Sequence, residues 1–178
     1  NDYQNELQEK YRWIEYHKWK FKGRTYTALS GSNKCFVLMT RVEFGILGSY
    51  NKHKKSPFET FYVGGDGTSG YSSTYATETI GLRGYDNGSL TQNGYSGYAY
   101  DRFTVELRYP FMLGNSTNIY GLVFAEAGNA WESVRKFNPF DMKRSVGAGV
   151  RIFLPIVGLL GIDWAYVFDD INGSRTYS

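Results

Sequence analysis

The sequence predicts an all-β fold, an antiparallel transmembrane β-barrel of which this chain supplies six or seven strands, and three observations carry that expectation. Aromatic residues make up 18% of the chain, with 16 tyrosines among them, and glycine numbers 21. The mean hydropathy is nevertheless only -0.44, so apolar residues are interleaved with polar ones rather than gathered into long runs. The interleaving is regular: every second residue tends to be apolar over stretches close to the ~9–11 residues that a tilted strand needs to cross a bilayer. A helical span needs ~20 mainly apolar residues, whereas the longest such stretch here, residues 152–162, is broken by Pro155, Gly158 and Gly161.

Each strand is read from its period-two alternation and from the turn residues that bound it. Over residues 11–28, Trp13, Trp19 and Phe21 share one parity and Lys18, Lys20, Lys22 and Arg24 the other, although Glu15 and His17 interrupt the apolar side. After a Ser30-Gly31-Ser32-Asn33 turn, Phe36, Leu38, Val42, Phe44 and Ile46 alternate with Met39, Arg41, Glu43 and Gly45, which completes a hairpin. Residues 51–100 are a long connection rich in Gly, Ser, Thr, Tyr and Asn, expected to be an extracellular loop that folds into the lumen, with residues 58–63 as a seventh strand. Alternation resumes over residues 102–109, where Phe103, Val105, Leu107 and Tyr109 oppose Arg102, Thr104, Glu106 and Arg108, and Pro110 is expected to end the strand.

Three further strands are expected over residues 119–131, 143–154 and 159–168. In the first, Ile119, Val123 and Ala125 oppose Glu126 and Gly128, while Tyr120, Leu122 and Phe124 add bulk on the Glu126 side. In the second, Val146, Ala148, Val150 and Ile152 oppose Ser145, Gly147, Gly149 and Arg151; in the third, Ile162, Trp164, Tyr166 and Phe168 oppose Asp163. Consecutive alternating strands make a meander. The smallest bacterial membrane barrels have about eight strands, so six or seven are expected to be part of a larger one. Val105 and Val150 should then face lipid, Glu106 and Arg151 the lumen, and Trp13, Trp19, Trp131 and Trp164 fit the aromatic girdles at the membrane interfaces.

Composition narrows the function classes. A net charge of +3, with the basic residues dispersed, argues against nucleic acid. The single cysteine, Cys35, excludes an internal disulfide. Residues 1–10 are polar without an apolar signal region, so an exported form is expected to begin earlier. Gly64-Gly65-Asp66-Gly67 lacks the spaced oxygen ligands of a calcium loop and reads as a turn. His17 and His53 have no cysteine or carboxylate at a metal-binding spacing, so no metal or cofactor is expected. No Ser, His and acid converge in the pattern, and enzymatic activity is not expected. Lys52, Lys54 and Lys55 read as a hydrated hairpin end rather than a site for lipopolysaccharide phosphates.

The most specific feature is Leu82-Arg83-Gly84-Tyr85, an arginine between leucine and glycine, followed by an aromatic, inside the long connection. Such a tip makes sense if the connection folds back into a cavity, where a planar guanidinium can hold a carboxylate bidentately. Glu126, in Phe124-Ala125-Glu126-Ala127-Gly128-Asn129-Ala130-Trp131, supplies a lumen-facing carboxylate and Glu106 a second. A charge buried alone costs several kcal/mol, so Arg83 with these acids is read as a structural latch, not a catalytic couple.

These two segments resemble the signature of the BamA-type outer-membrane assembly barrels, in which the arginine of a Val/Leu-Arg-Gly-aromatic loop tip docks on a strand carrying Phe-x-Asp-x-Gly-x-x-Trp. Here Phe124, Glu126, Gly128 and Trp131 occupy those positions, the acid one methylene longer. The likeness keeps its order along most of the chain. Pro57-Phe58-Glu59-Thr60-Phe61-Tyr62-Val63-Gly64-Gly65 is similar to the segment leading into the family's sixth extracellular loop, and Glu106 with Pro110 to the glutamate and strand-ending proline of the next strand. Gly147-Ala148-Gly149 with Pro155 and Gly158 resembles the hairpin near the family's end.

The resemblance implies the C-terminal portion of a barrel of about 16 strands in the bacterial outer membrane, with the family's POTRA domains and final strand outside this stretch. It implies a latch formed by Arg83, Gly84, Tyr85, Glu126, Glu106, Phe124 and Gly128. The activity implied is insertion and folding of other outer-membrane proteins without covalent chemistry or a nucleotide. Its implied partners are outer-membrane lipids, unfolded β-barrel client proteins and accessory assembly lipoproteins. The rival readings are a two-partner-type polypeptide secretion pore, a passive channel of related fold and, more weakly, a soluble ligand-binding barrel.

Overall fold

A computed structural model describes residues 15–31, 36–50, 56, 58–67, 77–91, 97–114 and 117–171. Trp13 and the first four residues of the strand expected over 11–28, Ser32, Asn33, Cys35, the basic cluster Lys52, His53, Lys54 and Lys55, and Pro57 lie outside these residues. The strands in chain order are β1 (Tyr16–Ala28), β2 (Val37–Ser49), β3 (Phe61–Val63), β4 (Glu78–Ile80), β5 (Ala99–Leu113), β6 (Asn118–Trp131), β7 (Lys143–Leu154) and β8 (Gly158–Val167). Six of them form one antiparallel sheet in the order β1-β2-β5-β6-β7-β8, and β3 and β4 form a separate parallel pair. The sheet is a meander with one long excursion between β2 and β5. Residues 58–63 therefore yield a strand that pairs with β4 outside the main sheet, and the sheet has six strands.

The distribution of side chains is inverted relative to a water-soluble domain. Trp19, Phe21, Phe44, Phe103, Val105, Val123, Val150, Ile162 and Trp164 are exposed on one face, while Glu43, Thr104, Glu106, Glu126 and Ser145 are buried on the other. Charged residues are almost never fully buried without partners, and a large apolar patch facing solvent marks an interaction surface. A face of alternating Phe, Val, Ile and Trp over six adjacent strands matches the lipid-facing band of an outer-membrane barrel. Val105 and Val150 point outward as expected, and Glu106 and Arg151 inward. Trp131 departs from the girdle expectation: it is 8% exposed, covered by the ring of Phe137 at 4.8 Å from the short helical turn Val134–Lys136 and its cap.

Pro110 does not end β5, which continues to Leu113 across a register shift between Pro110 and Met112. The pairing of β5 with β2 stops at Arg108 opposite Val37, so at Pro110 only the β6 side of the strand is engaged among the described residues. A proline is tolerated in a sheet at such an edge or bulge because no ladder hydrogen bond is required of its nitrogen there.

The excursion between β2 and β5 packs on the inner face and has an apolar core of its own. Phe61, Val63, Ile80, Leu82, Tyr85 and Leu90 gather against Leu47 of β2, Tyr100 of β5 and Val167 of β8. Fully burying one such side chain stabilises by ~1.5–3 kcal/mol, enough collectively to hold a short two-stranded pair that would be marginal alone. Gly64, Gly65 and Gly67 have φ of 131, 72 and 79°, so the Gly64–Gly67 stretch is a turn, as its composition implies.

The facing assignment predicts that Val105→Arg in the full-length protein, refolded into lipid vesicles, lowers the unfolding free energy by ~2–4 kcal/mol. Val105→Leu should cost under ~1.5 kcal/mol. Equal costs in urea titrations would show that Val105 does not face hydrocarbon.

Candidate functional site

The site is assembled from strand register. Glu126 on β6 lies opposite Thr104 on β5 and Ser145 on β7, all pointing inward. One row away, Glu106 on β5 is opposite Phe124 on β6, which is opposite Gly147 on β7. The absence of a side chain at Gly147 matters, since a Cβ there would collide with the Phe124 ring. Phe124 thus lies flat over β7 and offers its face to the excursion above it.

Arg83 sits at the inner end of that excursion. Its guanidinium carbon lies 3.5 Å from the centroid of the Phe124 ring, a cation–π contact. Its backbone N–H donates to Glu126 Oε2 at 2.8 Å, and Nε and Nη2 donate to Glu126 Oε1 at 3.1 and 2.8 Å. Nη2 also reaches Glu106 Oε2 at 3.0 Å, Nη1 stands 3.5 Å from Asp163 Oδ2, and Ser145 Oγ donates to the Arg83 carbonyl at 2.7 Å. The Glu126 side chain is completely buried and receives two more donors, Arg102 Nη2 at 3.0 Å and Thr104 Oγ1 at 3.2 Å. Burial works against the charge of Arg83, but Glu126 and then Glu106 raise its pKa above the ordinary arginine value. A guanidinium that never deprotonates cannot serve as an acid or base.

Gly84 and Tyr85 place the tip. Gly84 has φ 94°, and a Cβ would lie 3.0 Å from Val167, 3.1 Å from Ala165 and 3.3 Å from Ser145. Only glycine satisfies both the conformation and the approach to β7 and β8. The buried Tyr85 ring carries its hydroxyl to the Arg144 and Asp169 carbonyls, at 2.9 and 3.3 Å, and burial pushes its pKa up to about 12. On the wall, a Cβ at Gly128 would stand 2.6 Å from the Asp101 carbonyl and 3.4 Å from Leu82, so this position lets the excursion lie close to β6. The structure therefore brings Arg83, Gly84, Tyr85, Glu106, Phe124, Glu126 and Gly128 into one constellation.

Sequence reasoning missed the outer partners. Arg108 pairs with Glu106, Arg151 with Asp163, and Arg102 with Glu126, so four guanidiniums share three carboxylates. The available signal was parity: each of these residues shares the inner face of its strand, and Asp163 is the sole charged residue of β8. Beside the cluster lies a cavity of about 740 Å³ bordered by Arg41, Asp66, Arg102, Arg108 and Tyr120.

An apolar outer face, a charged inner face and an open six-stranded meander define a segment of a transmembrane β-barrel. The family model of the Omp85 superfamily domain matches residues 3–178, and the chain belongs to that superfamily of the bacterial outer membrane. It is similar to the outer membrane protein assembly factor BamA of Neisseria meningitidis serogroup B (strain ATCC BAA-335 / MC58), at 32% identity over 122 residues. That alignment takes in 67% of this chain and 14% of the relative, so the chain spans a small part of the protein it matches. The described sheet is thus a segment of a BamA-type barrel.

Two outcomes follow for the full-length barrel. Arg83→Ala and Glu126→Ala should each cost ~3–5 kcal/mol, because each strands a buried charge, and the double variant should cost less than the sum by ~0.5–3 kcal/mol. Strict additivity in urea unfolding would show that the two side chains do not meet. Gly84→Ala should destabilise by ~1–3 kcal/mol through its backbone conformation, with no change in net charge to confound the comparison.

Proposed function

We propose that this chain is the part of an outer-membrane protein assembly factor that locks a lumenal loop against the barrel wall, and that the whole protein inserts and folds β-barrel clients without covalent chemistry. The observation that carries the reading is the docking of Arg83 on the fully buried Glu126 of β6 from the excursion that joins β2 to β5. Eight donor or stacking contacts fixed on one guanidinium and its acid are far more than an ordinary exposed loop needs, and the similarity to BamA points to the same activity. In this reading Arg83, Gly84 and Tyr85 are the bolt, and Glu106, Phe124, Glu126 and Gly128 its seat. The excursion is an extracellular loop turned inward, and the sheet is the C-terminal part of the larger barrel.

The physics of the activity lies in strand edges. An unpaired edge in hydrocarbon leaves each backbone N–H and C=O costly, so a barrel that exposes one offers an incoming strand a large gain on pairing. A rigid wall opposite that edge keeps the barrel from collapsing onto itself while clients are handled, which is the role assigned to the latch. Outer-membrane lipids, unfolded β-barrel clients and accessory lipoproteins are the partners this role requires.

The test is replacement of the chromosomal copy by Arg83→Ala, Arg83→Lys or Glu126→Ala in the source organism. The alanine variants should reduce heat-modifiable, folded porins severalfold at barrel levels where the wild type is sufficient, and lysine should restore little, because it lacks the bidentate fork. Unchanged porin assembly together with loss of export of a single secreted polypeptide would replace this reading with the secretion-pore one.

A further inference from the structure

The excursion meets the sheet at a second place, far from the Arg83 cluster. On the inner face of β1, Lys18, Lys20 and Lys22 alternate with the outward Trp19 and Phe21, and all three ammonium groups converge on Glu78, the first residue of β4. Lys18 and Lys20 reach Glu78 Oε2 at 3.2 and 2.9 Å, and Lys22 reaches Oε1 at 2.9 Å. Lys18 also binds Glu59 Oε2 at 2.8 Å and lies 4.9 Å from the Phe61 ring centroid. Glu59 takes up a left-handed backbone conformation, φ 63°, just before β3, a conformation uncommon for a residue with a side chain.

From this base the chain runs through β4 to Leu82 and Arg83. Five residues of near-extended chain span ~16 Å, with little slack between Glu78 and the tip. The base rests on β1 and the tip on β5, β6 and β8, which are separated from β1 by two to five strand spacings. We propose that Glu78 with Lys18, Lys20 and Lys22 forms a second hold on the excursion, so that it straps β1 to β5–β8 and can loosen from β1 while the Arg83 tip stays docked. This rests on the reading of the excursion as a lumenal loop held at its tip.

The two holds differ in kind. The Glu126 side chain has no exposure and that of Glu78 is 21% exposed; Lys18 is as buried as Arg83, but the Lys20 and Lys22 side chains are 38 and 47% exposed. Exposed pairs are screened by salt and contribute little each, while buried ones are screened much less. Several cations on one acid nevertheless act together: burial by itself would raise the Glu78 carboxyl, but hydrogen bonds from Lys20, Lys22 and Lys18 bring its pKa down to about 2. The base hold therefore exists at neutral pH and yields to ionic strength before the tip does.

Hydrogen exchange on the full-length barrel in lipid nanodiscs tests this. The base is reported by the Glu78 amide, which donates to the Thr60 carbonyl, and the Gly64 amide, which donates to the Ile80 carbonyl. The tip is reported by the Arg83 and Tyr85 amides. Glu78→Gln, or Lys20→Met with Lys22→Met, should speed exchange at the base by about tenfold or more and at the tip by under about twofold. Salt at about 0.5 M should do the same to the wild type. Unchanged base exchange in both variants, or equal acceleration of base and tip, overturns the strap. Arg83→Ala separates the two proposals: if it leaves the tip amides protected, the tip latch fails, while the strap is still judged on the base amides.

Discussion

The buried carboxylate of Glu126 is the constraint around which the rest of this structure is organised. A carboxylate removed from water must be both paired and hydrogen-bonded, or it costs several kcal/mol. Here that requirement is met by four groups from two places in the chain: Arg102 and Thr104 on β5, and the side chain and backbone N–H of Arg83 from the excursion, with Ser145 on β7 fixing the carbonyl of Arg83 in turn. Once the Arg83 amide as well as its guanidinium is committed to Glu126, the local chain direction is set. Gly84 must then turn within van der Waals reach of Val167, Ala165 and Ser145, which excludes any side chain.

The small residues of β7 follow from the same demand. Phe124 can lie flat beneath Arg83 because Gly147 leaves space for its ring, and Gly149 leaves space for the carboxylate of Asp163, which a Cβ would displace. Glycine inside a strand ordinarily weakens it. The loss is offset here by a cation–π contact and an additional ion pair that a bulkier β7 would prevent. Gly147 and Gly149 are thus part of the site although neither makes a polar contact through a side chain.

Much of this was legible beforehand, for reasons that differ by residue. The strands were readable because lipid on one face and polar surroundings on the other enforce strict alternation, so Phe103-Thr104-Val105-Glu106 admits one facing. The pairing of Arg83 with Glu126 was readable because an arginine in a loop tip and an acid on an inward parity are each costly unless joined. The partners Arg102, Arg151 and Asp163 were not legible, since their contacts depend on which residues stand side by side across three strand interfaces, and parity alone leaves that register open. Pro110 misled for a related reason: its missing N–H ends a strand only where a neighbour needs that donor, and among the described residues the β2 pairing stops at Arg108. Trp131 misled because parity describes the strand and not the Phe137 ring that folds over it. The β3–β4 pair was only half visible, as two three-residue strands carry too few alternations to be distinguished from loop.

The sheet separates two different solvents, and its charges show which is which. Around the site four arginines share three carboxylates, and Arg24 stands directly opposite Arg41 on adjacent strands of the same inner face. Like charges placed directly across a strand pair repel; Arg41 has Glu43 at 3.9 Å beside it, while Arg24 is exposed, and a guanidinium is not tolerated in an apolar medium without such compensation. The inner face is therefore wet, consistent with a cavity of about 740 Å³ bordered by arginines beside the cluster. Water there screens the excess cations, while the docked excursion excludes it from Glu126 itself. The excursion thus divides the lumen side into a dry seat, where a single ion-paired network is strong, and a hydrated wall, where the lysines of β1 hold Glu78 through contacts that ions in solution can weaken. A loop bound by one strong and one weak hold has a defined order of release, from β1 first and from β6 last.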